Sequence, residues 1–181
     1  MEITGEYEIA APREAVWAAL NDPEVLARCI PGCESLEQTG DNTFAAKVTA
    51  AVGPVKAKFN TRLSLEDLNP PESYRLVGES KAAAGFGKGT AEVRLEAVEG
   101  GTLLRYSADF KVGGKLAQVG SRLVVGATRK TADDFFSAFS SAVDPGATKV
   151  ESDEPVTRAA NPWPYIVGGA AVLLILWFLL G

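Results

Sequence analysis

Apolar and polar residues alternate along most of the first 112 residues, which is the pattern of strands with one buried face. In residues 2–10 the apolar positions are separated by acidic residues and threonine. The same alternation recurs in residues 44–52, 55–65, 74–80, 90–97 and 104–112, with turn residues such as Gly53-Pro54 and Gly100-Gly101 between the segments. The pattern predicts a curved meander of six or seven antiparallel strands with one polar face.

Two short helices are predicted after the first strand, because Pro12 suits a first helical turn and Asn21-Asp22-Pro23 both ends one helix and caps the next. Beyond Gly113-Gly114 the apolar period changes to three and four residues. The periodic positions are Leu116, Gly120, Leu123, Ala127, Thr131, Phe135, Ala138 and Ala142. They predict one amphipathic helix of nearly 30 residues that stops at Asp144-Pro145-Gly146.

This order of elements predicts an α+β helix-grip fold, in which a curved antiparallel sheet wraps around a long C-terminal helix. The inward positions mix large rings with many small residues, so we expect an apolar cavity between helix and sheet. A fully packed core is the alternative. The residues expected to line the cavity are Phe44, Val48, Phe59, Leu63, Tyr74, Val93, Tyr106, Phe110, Leu116, Gly120 and Leu123.

The C-terminal tail is unlike the rest of the chain, because residues 159–181 contain no charged side chain. A helix needs about 20 apolar residues to cross a bilayer, and the strongly apolar part, 165–180, is near the short limit. We therefore expect a helix-grip domain over 1–143, a flexible polar linker over 144–162 and a transmembrane anchor over 163–181. Trp163, Tyr165 and Trp177 are the candidate membrane-contacting aromatic residues. Docking of the tail into a groove of a partner protein is the alternative.

Composition excludes several kinds of chemistry. The chain has 18 basic and 23 acidic residues without a basic block, which argues against nucleic-acid binding. It has no histidine, so histidine-dependent catalysis and histidine metal ligands are excluded. Cys29 and Cys33 are expected to be reduced structural thiols, and no metal site is predicted. The segment Gly85-Phe86-Gly87-Lys88-Gly89 lacks the Ser/Thr and the following helix of a phosphate loop.

No catalytic residue is predicted, because acidic residues fall mostly on outward strand positions and no inward pair is available for acid–base work. Tyr7, Tyr74 and Tyr106 point inward, either as core residues with bonded hydroxyls or as hydrogen-bond donors to a ligand carbonyl.

Three stretches carry a resemblance to a known family: residues 11–17 (APREAVW), 30–36 (IPGCESL) and 114–122 (GKLAQVGSR). With this succession of elements, residues 1–143 resemble the carbon monoxide dehydrogenase CoxG family, which belongs to the START/polyketide cyclase/Bet v 1-like superfamily. The resemblance implies a helix-grip fold with an apolar cavity. It also implies an accessory protein that attaches a cytoplasmic molybdenum hydroxylase, typically carbon monoxide dehydrogenase, to the inner membrane. The partner enzyme, and not this chain, would carry the metal and flavin cofactors.

Three functions remain open at this point: a non-catalytic adaptor, an independent carrier of a lipid or other hydrophobic ligand, and, as the least favoured, a cyclase-like enzyme. The adaptor and carrier functions are compatible if the cavity holds a respiratory quinone, either menaquinone or ubiquinone. The bound quinone would then link the enzyme to the electron transport chain. No quinone motif is visible. The N-terminus opens Met1-Glu2 without the basic region of a signal peptide, so we expect the domain on the cytoplasmic face of the inner membrane, in contact with lipid through its tail.

Overall fold

A computed structural model describes residues 1–144 as one curved sheet with four helices. The strands are β1 (Glu2–Ile9), β2 (Cys33–Gly40), β3 (Thr43–Val52), β4 (Val55–Asn69), β5 (Ser73–Ala82), β6 (Gly85–Val98) and β7 (Gly101–Gly114). The helices are α1 (Arg13–Leu20), α2 (Pro23–Cys29), α3 (Lys115–Gln118) and α4 (Ser121–Val143). This is the predicted helix-grip architecture.

All seven strands form one antiparallel sheet in the order β1-β7-β6-β5-β4-β3-β2. Strands β2 to β7 follow one another as hairpins, and β1 closes the far side by pairing with β7. Helices α1 and α2 connect the two edges of the sheet, since they lie between β1 and β2 in the chain. Asp22 begins α2 as predicted, because its carboxylate accepts a hydrogen bond of 2.9 Å from the backbone N–H of Glu24.

The predicted alternation is confirmed on every strand for which it was clear. On β3, Phe44, Ala46, Val48 and Val52 are buried, and the intervening side chains are exposed or half-buried. We call this buried side the inner face of the sheet and the opposite side the outer face. The inner face and the buried side of α4 form one continuous apolar core.

The long helix differs from the prediction in its phase. The buried residues of α4 are Val124, Thr128, Ala132, Phe135, Phe136 and Phe139. Most lie one position after the predicted set, which corresponds to a rotation of about 100° on an α-helix. In the last part of the helix the observed phase buries Phe135, Phe136 and Phe139, whereas the predicted phase would bury Phe135, Ala138 and Ala142. Burial of the rings removes more apolar area from water.

A break between α3 and α4 accounts for the changed phase. Gly120 adopts φ +91°, a left-handed conformation that a continuous helix does not contain. The predicted single helix is therefore two helices, a four-residue α3 and a 23-residue α4. Because the chain changes direction at Gly120, the spacing of apolar positions that begins at Leu116 does not predict which residues of α4 are buried.

The predicted linker and the membrane anchor, with Trp163, Tyr165 and Trp177, lie outside the described residues. Within residues 1–144, no helix is both long and apolar enough to span a bilayer.

Candidate functional site

Nine of the eleven predicted lining residues meet inside the grip. They are Phe44, Val48, Phe59, Leu63, Tyr74, Val93, Tyr106, Phe110 and Leu116, and none is more than 6% exposed. Eight of them stand on strands of the inner face, and Leu116 comes from α3. These side chains are almost wholly covered, so the inner face is not open to solvent at these nine positions.

The other two predicted lining residues, Gly120 and Leu123, do not reach the interior. Leu123 is 50% exposed and contacts the β3–β4 turn, where its Cδ1 would lie 3.5 Å from a Cβ placed on Gly53. A Cβ placed on Gly120 would meet no atom within 4 Å. The shifted phase of α4 explains both placements. A larger side chain at Gly120 would therefore not fill the helix–sheet contact.

A pair of buried hydroxyl groups is the most unusual chemical feature of the interior. Thr61 on β4 and Ser80 on β5 are direct cross-strand partners on the inner face. Their side chains are 2% and 1% exposed. Neither hydroxyl oxygen has a hydrogen-bond partner within the described part of the chain.

An unpartnered buried hydroxyl is energetically unfavourable, at roughly 1–3 kcal/mol for the missing hydrogen bond. Most buried hydroxyls in proteins are satisfied, as Thr102 is here by donating to the carbonyl of Ala11 at 2.7 Å. Side chains directly opposite each other on paired strands have Cβ atoms about 5 Å apart. The Thr61–Ser80 pair therefore presents two adjacent donors that a single carbonyl oxygen of a bound molecule can accept from.

The sheet around this pair carries few side chains of any size. Thr61 faces Ala46 on its other side, and Ser80 faces Gly87. Gly78 and Gly89 face each other in the next inner row. The direct cross-strand neighbours of the two hydroxyls are therefore an alanine and a glycine.

Thr61 and Ser80 were predicted on the inner face but were not identified as site residues. Their inward alternation was visible in the sequence. Their lack of partners depends on the register between β4 and β5 and on the packing of α4, which no local pattern specifies.

A second polar group of residues lies where β1 and β7 meet α4. The hydroxyl of Tyr7 donates to the carboxylate of Asp133 at 2.7 Å, and its ring stacks on Phe136 with centroids 4.0 Å apart. Burial and the hydrogen bond to Asp133 raise the pKa of Tyr7. Tyr106 lies over Gly5, where a Cβ would come within 2.5 Å of its ring. Tyr7 thus packs against α4 through its ring and its hydroxyl, and Tyr106 stacks in parallel with the Tyr7 ring at 6.3 Å between centroids.

Segment α3 is the least anchored part of the wall around the interior. It has four residues, and Leu116 is its one buried side chain. Its N–H donates to the carbonyl of Ala84 at 3.3 Å, which is a long hydrogen bond. Gly114 at φ +75° and Gly120 at φ +91° flank the segment. A short element with few buried contacts opens at low free-energy cost, so α3 is the candidate entrance to the interior.

The remaining candidates carry no chemistry. Cys29 and Cys33 are free, and burial raises the pKa of both thiols, which disfavours the reactive thiolate. Residues 1–144 contain no cluster of potential metal ligands. The glycine-rich segment at 85–89 is part of strand β6, and Phe86 covers Gly113 on the neighbouring strand, where a Cβ would clash with its ring.

A groove with a volume of about 980 Å³ crosses the outer face of the sheet. One wall consists of Ala45, Arg62, Glu79, Lys88 and Lys111, and the other of Thr43, Ser64, Val77, Thr90 and Asp109. This groove was not predicted from the sequence. It is open to solvent and carries charges of both signs. Its lining also includes Phe44, Leu63 and Phe110, three of the predicted cavity residues, which lie in the row between the two walls.

Comparison with known proteins agrees with this fold. A conserved protein from Geobacillus kaustophilus is 30% identical, with a TM-score of 0.75, over 79% of this chain and 95% of that chain. The aromatase/cyclase Zhui from Streptomyces sp. R1128 is 15% identical, with a TM-score of 0.63, over 82% of this chain and 96% of that chain. A protein from Thermus thermophilus, TTHA0849, is 18% identical, with a TM-score of 0.60, over 82% and 100%. The last two likenesses show the fold alone.

No curated protein matches the chain at a significant level. The family model of the carbon monoxide dehydrogenase CoxG subunit matches residues 5–144, which is almost the whole described domain. The resemblance inferred from the three sequence stretches is thereby confirmed, and this chain belongs to the carbon monoxide dehydrogenase CoxG family.

Proposed function

We propose that this protein is a non-catalytic accessory subunit that holds a molybdenum-containing carbon monoxide dehydrogenase, or a related hydroxylase, at the inner membrane and binds a respiratory quinone inside its grip. Its family membership supports the accessory role and the partner. The charge-free tail at 159–181 supports the membrane association. The observation that carries the ligand is the unpartnered Thr61–Ser80 pair in an otherwise apolar interior.

A quinone fits this interior in two respects. Its ring and isoprenoid tail are apolar and suit the phenylalanine-rich core, since leaving the bilayer requires an apolar site of comparable quality. Its ring carbonyls are hydrogen-bond acceptors, and the two hydroxyls lack acceptors. Binding would satisfy polar groups that the ligand-free protein leaves unpaired, so it would compensate part of the cost of opening the packed core.

Entry of the quinone requires a change of conformation, because the interior is closed in the described structure. We assign this change to α3, whose displacement would expose Leu116 and the inner face next to the β5–β6 turn. The ligand-free state would then be the packed one, and the carrier would expose little apolar surface to water when empty.

The double variant Thr61→Val/Ser80→Ala tests the proposal in cells that depend on the dehydrogenase. The matched control is Ser64→Ala/Thr90→Val, which makes similar chemical changes on strands β4 and β6 of the outer face. Membrane recruitment of the enzyme and reduction of the quinone pool by its substrate are measured in parallel. We expect normal recruitment with both variants and slower quinone reduction only with the inner-face variant.

Three results would distinguish a plain adaptor, an independent carrier and an enzyme. Full quinone reduction with the inner-face variant, despite lost quinone binding, would leave a plain adaptor. Quinone binding without any recruitment of the enzyme would leave an independent carrier. Substrate turnover by the isolated protein would indicate an enzyme.

A further inference from the structure

The two ends of the domain carry opposite charge. Three segments meet at one end: residues 50–60 around the β3–β4 turn, 80–90 around the β5–β6 turn, and 111–123 from the end of β7 into α4. We call this the basic end. These segments contain seven basic residues and no acidic one: Lys56, Lys58, Lys81, Lys88, Lys111, Lys115 and Arg122.

Direct contacts bring the three segments together. Gly85 pairs with Gly114, and the N–H of Leu116 bonds to the carbonyl of Ala84, so the β5–β6 turn adjoins α3. Leu123 in the first turn of α4 lies against Gly53 in the β3–β4 turn. The basic residues therefore surround one end of the grip.

The opposite end is acidic. The turns between β2 and β3, β4 and β5, and β6 and β7 lie there, within residues 37–43, 66–72 and 96–101. These segments contain seven acidic residues and no basic one: Glu37, Asp41, Glu66, Asp67, Glu72, Glu96 and Glu99. A protein with a net charge of −5 thus concentrates positive charge at one end.

The cations of the basic end lack the ion pairs found elsewhere. Toward the acidic end, Arg75 bonds to Glu66 at 2.6 Å and Arg105 to Glu96 at 2.7 Å. At the basic end only Lys58 is paired, with Glu34 at 3.0 Å. Within residues 1–144 the other six cations form no ion pair within 4 Å, and all are exposed. Lys88 and Lys111 are direct cross-strand neighbours, and Glu79 stands opposite Lys88 on β5 without an ion pair within 4 Å, so the unpaired cations furthest from an acidic neighbour are those nearer the turns.

Two large apolar side chains stand among these cations. Phe86 and Leu123 are each 50% exposed, and they account for two of the three large exposed hydrophobic residues of the described domain. Phe86 lies over Gly113 beside the β5–β6 turn, Leu123 lies by Gly53 at the start of α4, and half of each side chain remains exposed. Half-exposed apolar groups among cations match the boundary between anionic headgroups and hydrocarbon, which needs no shape-complementary pocket.

We infer that the basic end is a docking surface for an anionic lipid bilayer, with Phe86 and Leu123 entering the headgroup region and Lys56, Lys81, Lys115 and Arg122 contacting lipid phosphates. The surface is separate from the tail. This inference deepens the proposed function and rests on it, because docking would place α3, the candidate entrance for quinone, against the membrane that contains the quinone.

The linker permits this orientation. The helix α4 starts at the basic end and its 23 residues rise about 34 Å, so the chain leaves the domain toward the acidic end. The 14 residues of β6 span about 46 Å. Nineteen residues at 144–162, fully extended, reach about 65 Å, which is enough to return to a bilayer at the basic end.

Vesicle partitioning of the full chain tests the inference. Partition coefficients are measured for phosphatidylcholine vesicles and for vesicles with about 30% phosphatidylglycerol, and their ratio is taken. The tail is free of charge, so its contribution cancels in the ratio. Each basic residue near an anionic surface contributes about 1 kcal/mol, so we expect a ratio of about ten or more for the wild type.

Charge reversal locates the surface. The variant Lys81→Glu/Lys115→Glu should lower the ratio at least tenfold, since two attractions become repulsions. The control Arg94→Glu/Arg129→Glu makes the same change in net charge at two exposed cations outside the three segments of the basic end and should leave the ratio within about threefold of wild type. The variant Phe86→Ser should weaken binding to anionic vesicles several-fold without changing net charge.

A wild-type ratio near one, or equal losses in the reversal variant and its control, would overturn the inference. If the variant loses its dehydrogenase while the lipid ratio is unchanged, the basic end binds an acidic protein instead, which also overturns it. Failure of the tail to insert appears separately, as weak binding to neutral vesicles, and would contradict the proposed anchoring but not the basic-end surface.

Discussion

At the scale of single residues, the interior shows which polar groups serve stability and which do not. Thr102 and Thr128 are buried and both hydroxyls are bonded, to the carbonyls of Ala11 and Val124. Thr61 and Ser80 are equally buried and unbonded. Buried hydroxyl groups therefore stabilise the fold at Thr102 and Thr128 and destabilise it at Thr61 and Ser80.

Removing the unbonded hydroxyls should leave the ligand-free protein as stable or make it more stable. For Thr61→Val/Ser80→Ala we expect an increase of about 1 kcal/mol in the free energy of unfolding, because buried donors without partners are removed. The matched variant Thr102→Val should lower it by about 1–2 kcal/mol, because the Ala11 carbonyl loses its partner. Urea unfolding of all three proteins checks this. A destabilised double variant would show that the two hydroxyls are bonded in solution.

Buried tyrosines should make the fold sensitive to alkali. Burial raises the pKa of Tyr74, so above pH 10 the unfolded chain loses this proton while the folded chain retains it. Stability is then unaffected below pH 10 and falls above it, by about 1.4 kcal/mol per pH unit for each such tyrosine. Guanidinium unfolding between pH 8 and 11 should show a shallower decline for Tyr74→Phe than for wild type. Identical slopes would contradict the assigned shift.

At the scale of elements, the strands were predictable because alternation has a period of two and a single slip inverts every side chain. Phe44, Phe59 and Phe110 all fall on the face that the pattern assigned. The edge strand β2 gives no such signal, since its residues after Leu36 are all exposed. The phase of α4 was not predictable from spacing because the apolar series Leu116, Gly120, Leu123 passes through a glycine that ends the helical path.

Two glycines near the start of α4 should respond oppositely to alanine. Gly126 lies inside the helix, and a Cβ there meets no atom within 4 Å, so Gly126→Ala should stabilise by up to about 1 kcal/mol. Gly120 also has open space, but its φ of +91° is unfavourable for alanine, so Gly120→Ala should destabilise by about 1 kcal/mol. Thermal unfolding checks both. Equal stabilisation by both changes would mean that α3 and α4 form the continuous helix first expected.

In the molecule as a whole, the buried apolar residues of the described domain extend along the chain from Ile3 to Phe139. The match to the conserved Geobacillus kaustophilus protein covers 95% of that chain but 79% of this one. A related fold is therefore formed largely without the additional residues of this chain. The sequence analysis did not predict that one end of the domain is basic and the other acidic. The seven basic residues come from three segments of the chain, and only the topology brings these segments together.

Truncation after Asp144 should therefore give a soluble domain that unfolds cooperatively at the temperature of the full chain, within a few degrees. The family model ends at residue 144, so the truncated protein keeps every residue that the family model matches. Differential scanning calorimetry measures the transition, and sedimentation with membranes at high salt measures the anchor. A truncated protein that still sediments at high salt would mean that the tail is not the principal anchor.

The central claim is that the interior carries a quinone, and its most direct test is the ligand content of the protein itself. The full chain is purified from native membranes, extracted with organic solvent and analysed by mass spectrometry, beside Thr61→Val/Ser80→Ala and the outer-face control Ser64→Ala/Thr90→Val. We expect close to one quinone per chain in wild type and control, and about tenfold less in the inner-face variant. Wild-type protein that contains no quinone while still binding its dehydrogenase would contradict the central claim.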